Sequence, residues 1–184
     1  MPVKNYIDLP YPHLDKLLKE LDDTGREWLQ AIAAFSQQQI NQVPFAGSWT
    51  GGQVAEHIYK SIQGIPHLMA GNTTATTHRK PDDYVKTIED IFLDFDNKMK
   101  SPEFILPSDG PHDRNQLLQQ LRGVFDDIAV SSRTLDMSFT CTDFEFPGVG
   151  HFTRWEWVSF AICHTRRHAR QLQHILQHLA TVPA

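Results

Sequence analysis

Four histidines fall within one stretch, WEWVSFAICHTRRHARQLQHILQHL, running from Trp155 to Leu179. They form two pairs with a spacing of four, His164 with His168 and His174 with His178. A neutral imidazole is a metal ligand, and two imidazoles one helical turn apart can reach the same ion. The chain carries ten histidines in 184 residues, which by chance gives roughly half of one such pair. Spacing alone is therefore weak evidence, and helix geometry has to choose between the pairs. Four residues advance a helix by about 400°, so His164 and His168 project about 40° apart. Trp157, Ala161, Gln171 and Ile175 share their face. Such a face is expected to point inward, where ring nitrogens must be satisfied by hydrogen bonds or by a metal. His174 leans to another side, and its pair lies near the helix C-terminus, where the dipole favours protonated imidazole. That second pair reads as a surface pair.

Two imidazoles make a poor site, and the best third ligand is His57 in GGQVAEHIYKS. It lies roughly two turns into a helix that starts near Thr50, flanked by Val54, Ile58 and Ser61. His67 follows a proline near a helix end, His78 and His112 have loop-like surroundings, and His13 and His151 stand at helix beginnings. On spacing alone, His57, His164 and His168 are either a metal triad or three hydrogen-bonded core histidines. Both readings stand at this point.

The elements that must position these rings are helical. HLDKLLKELDDTGREWLQAIAAF places Leu14, Leu17, Leu18, Leu21, Trp28, Leu29, Ile32 and Phe35 at spacings of mostly three and four, an amphipathic stripe. Pro12 precedes it, as helix starts tolerate, and Gly25 is expected to bend the helix without ending it. A second helix opens at Thr50, where Thr50 and Gln53 form a capping box, and Pro66 predicts a kink or stop near its end. Residues 71–83 read as an exposed loop. DDYVKTIEDIFLDFDNKMK is a shorter helix, SPEFILPSDGPHDR breaks regular structure, and DRNQLLQQLRGVFDDIAVSSRTLD is helical again. The last helix begins near Thr153, capped with Glu156 three residues on, and runs to about Leu179. MSFTCTDFEF predicts one isolated extended segment. The expectation is an all-α chain of four long helices and one shorter one, packed as a bundle around one core.

The bulk numbers bound the function classes. A hydrophobic fraction of 40% and a charged fraction of 21% describe an ordinary globular chain, expected to form a single domain over 1–184. A net charge of −5 argues against a nucleic-acid footprint, and the dense basic run HTRRHAR is shared with the candidate ligands. No stretch approaches the roughly 20 apolar residues of a membrane span. MPVKNYIDLPYPHLDKLL has no apolar leader region, so the expected location is the cytoplasm. Cys141 and Cys163 make no metal-knuckle spacing, and Cys163 reads as a small buried hydrophobe.

Two segments carry a family resemblance. GSWTGGQVAEHIYKS resembles the W-[ST]-x-x-[EQ]-x-x-x-H segment of the DinB/YfiT-like superfamily, with Trp49, Thr50, Gln53 and His57 on the pattern. The closing stretch resembles that superfamily's H-x-x-x-H-x-x-Q helix, with His164, His168 and Gln171 in place, and Gly150, Thr153 and Trp157 approximate its G-x-x-T-x-x-x-W lead-in. The resemblance spans nearly the whole chain. It implies an up-down-down-up four-helix bundle, often a homodimer, in which His57, His164 and His168 hold a divalent metal, commonly nickel or zinc. It does not fix a reaction: some relatives are thiol S-transferases or thiol-dependent isomerases using low-molecular-weight thiols.

Three neutral imidazoles leave a divalent charge uncompensated, which lowers the pKa of bound water toward ~7 and deprotonates a coordinating thiol outright. Three readings follow: a thiol S-transferase acting on a small-molecule substrate, a metal-dependent hydrolase, or a non-catalytic metal-binding stress-response protein. No general base is visible. Glu56 adjoins His57, but one helical step turns it about 100° away. Gln171 is expected either to hydrogen-bond a ligand histidine or the bound cofactor or substrate, or to be an ordinary polar residue of the bundle. Arg166 and Arg167 are either attractors of an acidic thiol or ordinary surface arginines. Trp49, Trp157 and Phe160 either wall the pocket or pack in the core. Because ligand histidines must be neutral, metal affinity is expected to weaken below about pH 6.5.

Overall fold

The computed structural model describes residues 13–96 and 100–181. Pro12 with the rest of the N-terminal segment, and positions 97–99 of the expected shorter helix, lie outside them.

Helix α1 spans Leu14–Ala33, and its apolar stripe is the one the spacing predicts: Leu17, Leu21, Trp28 and Ile32 are buried. Each such side chain stabilises the fold by about 1.5–3 kcal/mol on leaving water. Gly25 does not interrupt the helix. A Cβ there would meet the ring of Phe125 at 3.1 Å, so the glycine admits a close helix crossing. Helix α2, Gly51–Ile62, opens on the expected capping box: the Gln53 N–H donates to the Thr50 hydroxyl and the Thr50 N–H to the Gln53 side chain. It stops before Pro66, which takes a first-turn position in a separate short helix α3, Ile65–Ala70. Proline is tolerated there because a first-turn N–H has no intrahelical partner to lose.

Helix α4, Val85–Phe92, is shorter than its sequence stretch. Helix α5, Arg114–Thr134, is capped by Asp113, whose carboxylate accepts from the Gln116 N–H at 2.8 Å. Helix α6, Arg154–Thr181, is the longest. Its Thr153–Glu156 capping box is formed on both sides, at 2.8 and 3.1 Å. The extended segment near 140 is not isolated. Thr140–Cys141 (β2) pairs antiparallel with Thr73–Thr74 (β1), inside the stretch expected to be loop. The partner was hidden because two threonines in a polar run carry no alternating apolar pattern.

Contacts at the helix ends fix the direction of the bundle. Arg114 at the start of α5 donates to the Phe35 carbonyl just past the end of α1. Gly52 at the start of α2 lies against the ring of His112, just before α5. Phe45, between α1 and α2, packs on His178 near the end of α6 at 5.0 Å. At the other end, Arg154 opens α6 beside the carbonyls of Met69 and Asp136. So α1 and α6 run one way, α2 and α5 the other, in up-down-down-up order. Helix α4 lies across α6, with Phe92 against Phe160 at 5.2 Å. Among the described residues no helix is long and apolar enough to cross a membrane. Both cysteines are free and buried, and burial pushes each thiol up to about 11, which favours the protonated form at neutral pH.

Candidate metal centre

The antiparallel packing of α2 on α6 brings together rings that are 107 residues apart in the chain. His57 Nε2 lies 3.3 Å from His164 Nε2, and His168 Nε2 lies 3.1 Å from that same atom. One nitrogen from each ring falls within 4.8 Å of the others. His57 and His164 are buried and His168 is half-buried.

Hydrogen bonds at the far side of two rings decide which nitrogen is bare. His57 Nδ1 stands 2.9 Å from the carbonyl oxygen of Ile105. A carbonyl only accepts, so Nδ1 carries the proton and Nε2 presents a lone pair to the cluster. His168 Nδ1 stands 2.7 Å from Gln171 Oε1, with the same consequence. The Nδ1 of His164 is buried with no hydrogen-bond partner among the described residues, and its ring lies against those of Phe92 and Phe160. Two bare lone pairs therefore face a third ring nitrogen, an arrangement that a shared cation satisfies. Tetrahedral ligation at about 2.0–2.1 Å places ligand nitrogens about 3.4 Å apart, close to two of the observed separations. The residues fit a metal ion.

Burial also keeps the rings neutral. Desolvation lowers the pKa of His57 and pushes His168 down to about 3, reinforced by the neighbouring His57. His164 is held well below the ordinary imidazole range by burial first, then by His168 and His57.

A cavity of about 420 Å³ opens beside the cluster. Phe92, Phe146, Trp157 and Phe160 line it together with Ile65 and Leu68. Trp157 and Phe160 are thus wall residues, whereas Trp49 stands against His57 at 5.2 Å and lies outside the lining. Of the roles open to Gln171, the bond to His168 is the one displayed. The arginines divide: Arg166 reaches α1, donating to Thr24 and Glu20, while Arg167 lines the cavity. His174 and His178 sit at the far end of α6 against Phe45. His13, His67, His78 and His151 are exposed.

Sequence reasoning missed the clamp behind His57. Glu56 does turn away from the cluster, but onto a loop. Its Oε2 accepts from the Ser108 N–H at 2.6 Å, the Ser108 hydroxyl at 2.9 Å and His112 Nε2 at 2.9 Å, and Lys60 lies 3.1 Å from Oε1. Lys60 also donates to the Leu106 carbonyl. This pins the segment that carries the Ile105 carbonyl. Gly52 leaves room for His112, whose ring would lie 2.8 Å from a Cβ at that position.

Burial would raise the Glu56 pKa, but hydrogen bonds from His112, Ser108 and Lys60 outweigh it and hold it at about 2. A carboxyl depressed in the folded state contributes stability that is fully present above its unfolded pKa and is lost as pH falls toward the folded one. The Glu56→Gln variant is therefore expected to be less stable than the parent above about pH 4.5, with the difference shrinking as pH falls from there through about 2. Urea unfolding of both proteins across that range measures it. A gap independent of pH would show that the clamp is not ionic.

A family model described as the DinB superfamily matches residues 20–172. No curated protein and no solved structure matches this chain. The match covers most of the sequence and includes all three clustered histidines, so the chain belongs to the DinB superfamily.

Proposed function

We propose that this DinB-superfamily chain is a metal-dependent thiol S-transferase in which His57, His164 and His168 hold a divalent transition metal. The observation that carries the reading is the convergence of three Nε2 atoms, two of them with lone pairs exposed by hydrogen bonds on the opposite ring nitrogen. An all-imidazole donor set suits zinc or nickel and offers no oxygen ligands for magnesium or calcium. When bound, the metal supplies Lewis-acid charge that takes a thiol to its thiolate. The chain's own part is to keep the rings neutral and aimed, through Ile105 and Gln171, and to exclude water with Phe146, Trp157 and Phe160.

The same metal would lower the pKa of bound water toward ~7, so hydrolysis is the second reading, and it would be helped by a side chain that shuttles the water's proton. Among the described residues no aspartate or glutamate lines the cavity, and Ser61 already donates to the His57 carbonyl at 2.7 Å. In thiol transfer a carbon–sulfur bond forms, the leaving group departs with its electron pair, and the thiol proton passes to solvent. The test is elemental analysis, then metal-reconstituted protein with a panel of low-molecular-weight thiols and electrophiles. Metal-dependent thioether formation is the expected result. Ester or amide cleavage without thioether formation would replace this reading with a hydrolase, and saturable metal binding without turnover would leave a non-catalytic metal protein.

The buried site also changes the expected pH response. Three ordinary imidazoles would lose about a thousand-fold in metal affinity between pH 7.5 and 5.5 through protonation. Here the folded-state pKa values lie below the ordinary one, so affinity is expected to pass pH 6.5 with little change and fall only at more acid pH. Competition against a chromophoric chelator at pH 7.5, 6.5 and 5.5 checks this. A thousand-fold loss by pH 5.5 would mean the rings titrate as if exposed.

A further inference from the structure

We infer that the electrophile taken by the cavity beside the histidine cluster has an uncharged aromatic body, held on a wall of aromatic rings with its reacting atom toward the three imidazoles. This rests on reading the cavity as the substrate site and adds the chemical class of what enters it. Among the described residues, six phenylalanine and tryptophan side chains from four parts of the chain line this one space. Phe92 closes α4, Phe104 lies in the segment before α5, Phe144 and Phe146 stand between β2 and α6, and Trp157 and Phe160 belong to α6. Neighbouring rings meet edge to face: Phe92 with Phe160 at 5.2 Å, Phe146 with Phe160 at 5.5 Å, Phe144 with Trp157 at 5.8 Å and Phe104 with Phe144 at 6.4 Å. An aromatic guest extends the same edge-to-face contacts, which a saturated body of equal size cannot make.

Exposure gives the wall an inner and an outer end. Phe92 and Phe160 are buried and pack on the ring of His164, at 5.0 and 5.2 Å. Phe144 and Phe146 are half-buried, and Phe104 is 70% exposed. Phe104 is thus apolar surface at the mouth that a bound molecule would cover. Several polar side chains of the lining are turned to the protein instead. Lys60 is paired with Glu56 at 3.1 Å and donates to the Leu106 carbonyl. The Ser61 hydroxyl donates to the His57 carbonyl, and Arg167 to the carbonyls of Asp94 and Phe92. A charged guest would have to shed water against donors already engaged, and burying a charge without a partner is costly. An uncharged ring has little hydration to lose and gains apolar contact. The volume of about 420 Å³ lies in the range of small-molecule sites.

The test is made on chelator-treated, full-length protein. N-phenyl-1-naphthylamine, an uncharged aromatic dye, is expected to bind one per chain and at least as tightly as its anionic counterpart, 8-anilinonaphthalene-1-sulfonate. 2-Naphthalenemethanol should displace it at about a tenth of the concentration needed of the fully saturated decahydro-2-naphthalenemethanol, the scale of one or two aromatic ring contacts. Phe104→Ala should weaken the dye several-fold at an unchanged melting temperature, because most of that ring is in solvent. Phe144→Ala should also weaken it. Tighter binding of the sulfonate overturns the inference, since it would mean that Lys100 or another cation of the lining governs entry. Equal displacement by the two alcohols overturns it as well, as does dye affinity indifferent to both substitutions. Zinc titration of the same samples is a separate readout. Zinc binding without aromatic preference removes only the substrate class, and aromatic preference without zinc binding removes only the metal reading.

Discussion

Alanine at position 164 is expected to lower affinity for zinc or nickel by on the order of a thousand-fold, about a third of the binding free energy of a structural zinc site. His164 is the middle ring of the cluster, 3.3 Å from His57 Nε2 and 3.1 Å from His168 Nε2. Without it the outer two nitrogens have no common neighbour. The parent's thermal stabilisation by added metal should vanish with it, because a ligand stabilises only in proportion to its occupancy of the folded state. His174→Ala is the control: its ring packs on Phe45 and His178, away from the cluster, and its metal affinity should match the parent's. Calorimetric titration of the two variants decides the matter. Equal losses in both would mean that the cluster at residues 57, 164 and 168 does not hold the metal.

The largest expected effect on stability lies at the opposite end of α6. Glu156 is fully buried. Its two oxygens take a bidentate pair of hydrogen bonds from Arg79, at 2.6 and 2.8 Å, and accept the N–H groups of Thr153 and Tyr84, each at 2.8 Å. Glu156→Ala strands a guanidinium that is itself mostly covered, with a side-chain exposure of 17%, along with two backbone donors. Breaking a buried pair from one side costs about 3–5 kcal/mol, which for a chain of this size lowers the melting temperature by about 10 °C. A melting curve of the variant against the parent reads this directly, and an unchanged midpoint would show that the pair is not needed to start α6. Glu156→Gln should recover part of the loss, since an amide oxygen can still accept from Thr153.

The same carboxylate shows how far the sequence reaches. Thr153 with Glu156, and Thr50 with Gln53, could be read as helix starts because a capping box closes within three residues. Nothing local indicated that Glu156 would also take Arg79, 77 positions away. The shared face of His164 and His168 was legible for a similar reason: helical pitch places residues four apart side by side whatever the rest of the fold does. The third histidine of the cluster was not fixed by spacing, which left the set level with ordinary core histidines until the family motifs were weighed. Arg166 and Arg167 looked interchangeable in HTRRHAR. One step of about 100° sends the first to α1 and the second to the cavity, a division visible only once the neighbours of α6 are in place.

Helix starts, apolar stripes and the pairing of His164 with His168 were thus determined by the sequence alone, since each depends on groups within one or two turns of one another. Tertiary structure decided the rest. The Ile105 carbonyl that sets the tautomer of His57 comes from 48 residues away, and the Glu56 clamp closes on Ser108 and His112 across 52 and 56. The lining of the cavity is assembled from α2, α3, α4, α6 and the segment before α5. Contacts of that range depend on how amphipathic helices dock, and docking is driven by burial of apolar area, which is non-directional and leaves no fixed spacing in the chain.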